Sequence, residues 1–93
     1  MITGITIAVF APLQAKGKPK IGLIIISELG FVETYEKMFL HPGEELYFSS
    51  GNNHKMITLG KTIIANAICA DSNNATHVQT CSELGASVYM VGV

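Results

Sequence analysis

The stretch AICADSNNATHVQTCSELGASVYMVGV, residues 67–93, decides how this chain folds. It opens on the end of TIIANAIC, an apolar run rich in β-branched residues, and turns polar at Asp71. Ser72, Asn73 and Asn74 follow, each a good helix N-cap, because a short side-chain oxygen accepts from the free N–H groups of a first turn. Nothing breaks the segment until Gly85, the residue that ends helices most readily in left-handed backbone. One helix over about 73–84, roughly three turns long, is predicted. Val78, Cys81 and Leu84 can share its buried side, leaving Gln79, Ser82 and Glu83 in water. SVYMVGV then resumes as a strand, and strand-helix-strand is the connection that parallel pairing needs.

Upstream, Met56 to Leu59 and Thr62 to Ile68 read as two strands joined at Gly60-Lys61. The parity of the second sets Ile63, Ala65, Ala67 and Cys69 on one face. MFLHPGEELYFSSGNNH, with Pro42, Gly43, Gly51 and adjacent asparagines, is a long irregular loop of the kind that often carries function. Tyr47 and Phe48 within it are candidates to line a pocket or to pack the loop onto its sheet. IGLIIIS, residues 21–27, is apolar on both faces like a central strand. Glu28, Leu29 and Gly30 turn it into FVETYEK, giving a hairpin over 21–37 that Lys37 ends. The residues from Ile2 to Phe10 alternate as a first strand more buried on one side, and PLQAKGKPK reads as an exposed loop.

Ninety-three residues make a single domain, 1–93, that hides only about 60–65% of its unfolded surface. Yet 48% of the residues are hydrophobic and 14% charged, with a mean hydropathy of +0.38. That is apolar for so small a body, and part of the excess is expected to meet another chain. Net charge is −1 with scattered basic residues, which excludes an electrostatic nucleic-acid or anionic-membrane partner. The N-terminal apolar run lacks a basic flank and is interrupted by Pro12, so neither a leader nor a membrane anchor is expected. Cys69 and Cys81, without a C-x-x-C pair, read as free thiols of a reducing compartment, the cytoplasm. His41, His54 and His77 show no ligand spacing that calls for a metal, so no metal or cofactor is expected. His41 and His54 read as polar loop residues and His77 as a helix-surface one.

Cys69 stands where a strand ends and a helix is about to start, the place where open α/β sheets keep a crevice for chemistry. Positive partial charge at a helix start favours a thiolate, the attacking form. A strand cysteine beside Ala67 and Ile68 equally suits simple packing.

The wider pattern goes further. Tyr35, Lys37 and Leu40 stand as Y-x-K-x-x-L, Pro42, Gly43 and Glu44 as P-G-E, Ile68, Cys69 and Asp71 as I-C-x-D, and Gly85, Ala86 and Tyr89 as G-A-x-x-Y. In that order they resemble the carbon-nitrogen hydrolase family, the nitrilase superfamily, over nearly the whole chain. The resemblance implies an α/β fold, part of a layered α-β-β-α sandwich, β-rich with one helix. It implies Cys69 as the nucleophile on a small amide or nitrile, forming a thioester, and Lys37 as the cation on the developing oxyanion. Glu44 or Glu45 then positions the lysine and the substrate, with Glu44 favoured because it follows Pro-Gly directly.

The family's general base, a glutamate in an early P-E motif, has no counterpart here. Glu28 lies in a turn, and Glu33, which shares parity with Lys37, reads as a solvated cross-strand residue. The chain is therefore expected to be the middle part of such an enzyme, a natural truncation beginning at Met1 or a piece of a longer one, with weak or no turnover alone. A non-enzymatic remnant that oligomerises or binds a small molecule is the competing reading. Open strand edges and bare apolar faces lead to the expectation of a homo-oligomer, a symmetric dimer.

Overall fold

A computed structural model describes residues 5–93. Two three-stranded sheets carry the chain. The first holds β1 (Ile7–Leu13), β2 (Lys20–Ile26) and β3 (Val32–Glu36) in the order β1-β2-β3, all antiparallel. The second holds β4 (Met56–Leu59), β5 (Thr62–Ile68) and β6 (Val88–Gly92), with β4 antiparallel and β6 parallel to β5. The α-helix α1 (Ala75–Glu83), the single one among the described residues, makes the crossover between the two parallel strands.

The local chemistry produces these elements as the sequence predicts. Gly30, at φ 86°, closes the β2–β3 turn with its N–H on the Ser27 carbonyl at 2.9 Å, and the Ser27 hydroxyl accepts from Phe31 N. Gly60, at φ 62°, does the same work between β4 and β5. Asn74 caps α1 by accepting from the backbone N–H groups of Thr76 and His77. Gly85, at φ 94°, follows its C-terminus.

The core joins the two sheets: Leu23 and Ile25 of β2 and Tyr35 of β3 pack in one cluster with Ile57 of β4 and Ile68 of β5. Ile21, Met38 and Ile64 lean on it. β2 is the central strand, as expected, because β1 and β3 cover both of its hydrogen-bonding edges.

Five expectations are corrected. The predicted first strand starts partly outside the described residues, and β1 runs through Pro12 to Leu13 instead of stopping at Phe10. Pro12 is tolerated because β1 is an edge strand, where a missing N–H costs no ladder bond. Nor is β1 buried on one side: Ile7, Val9 and Phe10 are all exposed. The helix is shorter than 73–84, since residues 69–73 wind as a tighter 3-10 turn before it. Its buried face differs as well. Val78 and Leu84 are exposed, while His77 and Cys81, one turn apart, are buried, so His77 is an interior residue rather than a surface one. Finally, Cys69 does not continue the β5 face: the strand ends at Ile68, residues 65–68 are buried on both sides, and Cys69 is exposed.

Candidate active site

Lys37 follows β3 immediately and is 1% exposed, a rare state for a lysine unless it is paired. Its Nζ donates to Glu44 Oε1 at 2.7 Å. Glu44 opens a short 3-10 turn, Glu44–Leu46, made possible by Gly43 at φ 99°, and the same Oε1 accepts from His41 N at 2.7 Å. The lysine hydrogen bond holds the Glu44 carboxyl below its ordinary range, against the opposing pull of desolvation. Glu45 turns the other way, its Oε2 accepting from Gly43 N. Of the two adjacent glutamates, Glu44 is the one brought to Lys37.

The long loop that carries Glu44 is pinned at several points. Ser49 N donates to the Pro19 carbonyl, and Lys20 Nζ donates to Ser49 Oγ and the Ser50 carbonyl. Gly51 N donates to the Lys37 carbonyl at 2.8 Å. Only glycine fits there: a Cβ at Gly51 would stand 2.6 Å from Glu36 Cβ and 2.7 Å from the Glu36 carbonyl oxygen. The loop thus returns against the strand end that carries the lysine. Tyr47 stays exposed, whereas Phe48 lines a cavity with Phe10, Ala11, Pro12 and Ile21.

Cys69 begins the 3-10 turn of residues 69–73, exposed, with φ +44°. Among the described residues it alone, apart from glycines, has positive φ. Left-handed backbone costs an L-residue about 1–2 kcal/mol, and such strain gathers at functional positions, where surrounding contacts enforce it.

What enforces it is Asp71, fully buried. Its Oδ1 accepts from Met38 N at 3.1 Å and Phe39 N at 2.8 Å, the two residues after Lys37. Its Oδ2 accepts from Ile68 N at 2.9 Å, the residue before Cys69, and from the Tyr35 hydroxyl. One carboxylate therefore ties the chain just after the lysine to the chain just before the cysteine. The sequence marked Asp71 only as part of a motif. The further signal was its place three residues after Ile68, where a carboxylate reaches back to the first N–H of a turn.

Behind Asp71 lies a polar cluster that sequence reading missed. The Tyr35 hydroxyl meets His77 Nε2 at 2.9 Å, the Tyr89 hydroxyl meets His77 Nδ1 at 2.8 Å, and His54 Nδ1 lies 3.4 Å from Cys81 Sγ. Burial and the neighbouring Asp71 raise the Tyr35 hydroxyl far above its ordinary pKa, so it stays a donor. Burial also pushes the Cys81 thiol up. The expectation that the histidines share no ligand spacing is corrected here: His77 and Cys81 are four residues apart on α1, and the fold adds His54. Glu33, by contrast, is an exposed residue whose ion pair is with Lys55 of the loop before β4 and not with a residue across the strand.

No protein-family model matches the sequence, and comparison with curated proteins finds no match. Solved structures do match. Glutamine-dependent NAD+ synthetase from Acinetobacter baumannii superposes with a TM-score of 0.87 at 18% identity, over 95% of this chain and 18% of that one. A cysteine-to-alanine mutant of the Nesterenkonia AN1 amidase, from the nitrilase superfamily, superposes with 0.83 at 22% identity, over 96% of this chain and 36% of that one. The cysteine-to-alanine mutant of that amidase bound to butyramide gives 0.83 at 22% identity. This chain spans about a third of the amidase's length and less than a fifth of the synthetase's. Mixed α/β, with two small sheets and one crossover helix among the described residues, the chain matches part of a nitrilase-like fold.

Proposed function

We propose that this chain is the segment of a carbon-nitrogen hydrolase that carries the nucleophile and the oxyanion-binding lysine. The observation that carries the reading is the Asp71 carboxylate, bonded on one oxygen to the chain after Lys37 and on the other to the chain before Cys69. Such a tie fixes two groups that sequence alone places 32 residues apart.

In this reading the Cys69 thiolate attacks the carbonyl carbon of a small amide, and the π pair of the C=O bond moves onto oxygen. Lys37 meets that charge. An ammonium has three N–H donors, and one is on Glu44, which leaves others for the oxyanion. Collapse of the intermediate expels the amine with a proton and leaves a thioester, which water then hydrolyses to the acid. A nitrile enters the same site through its electrophilic carbon. Glu44 aims the lysine. The proton transfers need a general base, and no P-E motif precedes Lys37 in these 93 residues. The reading has the base supplied by further chain or by a partner, and the residues present give turnover lowered by about 10²–10⁴-fold.

Exposed Ile7, Val9, Phe10, Val88 and Met90 favour a homo-oligomer, with a symmetric dimer as the assembly to test by light scattering. No helix among the described residues is long and apolar enough to cross a membrane, and the free thiols favour a reducing compartment, the cytoplasm.

The test is alkylation of Cys69 by a haloacetamide, read by peptide mass spectrometry. An amide-binding site gives a rate that saturates with reagent, is slowed by butyramide and falls in Lys37→Met. A rate linear in reagent and indifferent to butyramide would leave a scaffold without amide chemistry.

A further inference from the structure

The cluster behind Asp71 converges three metal-binding side chains from two separate parts of the chain. His77 and Cys81 stand one turn apart on α1, and His54 comes from the loop before β4. One ligand atom from each lies within 4.8 Å of the other two. Cys81 Sγ is 3.4 Å from His54 Nδ1 and 3.8 Å from His77 Nδ1. A tetrahedral zinc with Zn–S of about 2.3 Å and Zn–N of about 2.05 Å has an S···N edge of about 3.6 Å. The two observed separations bracket that edge.

The tautomer is prepared too. Tyr35 spends its single hydroxyl proton on Asp71, so toward His77 its oxygen can only accept. His77 therefore carries its proton on Nε2 and turns the Nδ1 lone pair toward Cys81 and Tyr89. A carboxylate orienting a ligand histidine from behind is the common outer shell of zinc sites, and here a tyrosine relays it. The loop that carries His54 is anchored as well: the Lys55 carbonyl accepts from both the backbone N–H and the side-chain amide of Asn66, buried in β5. A route in exists, since Cys81 and Tyr89 line a cavity of about 110 Å³ and His54 lines another of about 370 Å³.

We propose that His54 Nδ1, His77 Nδ1 and Cys81 Sγ form a divalent transition-metal site of zinc type, with the Tyr89 hydroxyl beside it as fourth donor. Two imidazoles and a thiolate suit zinc or cobalt and not the hard cations calcium and magnesium. On binding, the thiol proton leaves to solvent and the metal–sulfur bond forms in its place. Such an ion would clamp α1 to the loop before β4. The site is separate from the Cys69–Lys37 pair and stands whether or not that pair is catalytic.

The test is titration of the reduced chain with Co²⁺, followed by competition with Zn²⁺. One equivalent should bind, with a thiolate-to-cobalt charge-transfer band and tetrahedral d–d bands. Cys69→Ser should keep the charge-transfer band and Cys81→Ser should lose it. His54→Gln, at a partly exposed loop position that leaves the core intact, should weaken zinc at least about 10-fold. Tyr35→Phe, which frees the His77 tautomer without touching a ligand, should weaken it by about 10–100-fold. Absence of the thiolate band, its persistence in Cys81→Ser, or undiminished affinity in His54→Gln would each overturn the site.

Discussion

Replacing Asp71 by asparagine changes no volume and only one functional group, which makes the cost calculable. Four donors converge on the carboxylate, three of them backbone N–H groups. Asparagine offers one oxygen and one NH2, so whichever way the amide turns, it aims a donor at a donor. Turned with its NH2 toward Met38 and Phe39, it orphans two N–H groups. Turned toward Ile68 and Tyr35, it orphans one and forces the tyrosine hydroxyl to reverse. The second is cheaper. One buried unsatisfied donor costs about 1–3 kcal/mol, and the surviving bonds weaken from charged to neutral strength. Together these give about 3–4 kcal/mol, a large share of the 5–15 kcal/mol that holds a domain. At about 4–8 °C per kcal/mol for a chain of this size, the melting temperature should fall by roughly 12–32 °C. Ser72→Ala serves as the control: its hydroxyl bonds the Cys69 carbonyl in the same turn but in contact with water, and should cost no more than about 0.5 kcal/mol. Urea denaturation followed by circular dichroism measures both. A cost for Asp71→Asn below about 1 kcal/mol, or one matched by Ser72→Ala, would refute Asp71 as the tie between the two strand ends.

Three further outcomes follow from the same geometry. Cys69→Gly should be more stable than Cys69→Ala by about 1 kcal/mol, because glycine relieves the positive φ that alanine keeps; a less stable glycine variant would show that the turn carries no strain. Gly51→Ala should cost about 1–3 kcal/mol by driving the loop off Glu36, and wild-type stability on thermal melting would contradict the close approach. Glu44 is held below its ordinary value near 4.5, so its contact with Lys37 stabilises fully above that value and fades as pH falls through the lowered one. The stability gap between the parent and Glu44→Gln should accordingly narrow on acidification, and a gap that widens would reverse the assigned sign.

The sequence alone determined the order and kind of most elements. Glycines at the turns, Asn74 before α1 and the apolar runs of β2 and β5 act over a few residues, where periodicity and capping read directly. The ordered motifs also marked Lys37, Cys69 and Glu44 or Glu45 as candidate site residues, and the glycine of P-G-E sets the turn that sends Glu44, and not Glu45, to the lysine. Only the tertiary structure decided which face of α1 is buried. Val78 and Leu84 outrank His77 in hydrophobicity, yet His77 lies inside because the hydroxyls of Tyr35 and Tyr89 meet its two ring nitrogens there and offset its desolvation. Those partners come from up to 42 residues away. β1 stayed exposed for the complementary reason: its apolar residues carry a strand pattern, but Ile7 and Val9 remain about half exposed, and Phe10, whose ring lies over Gly92 of β6, is only half covered. A pattern states what a residue can bury against, and the fold alone supplies the neighbour.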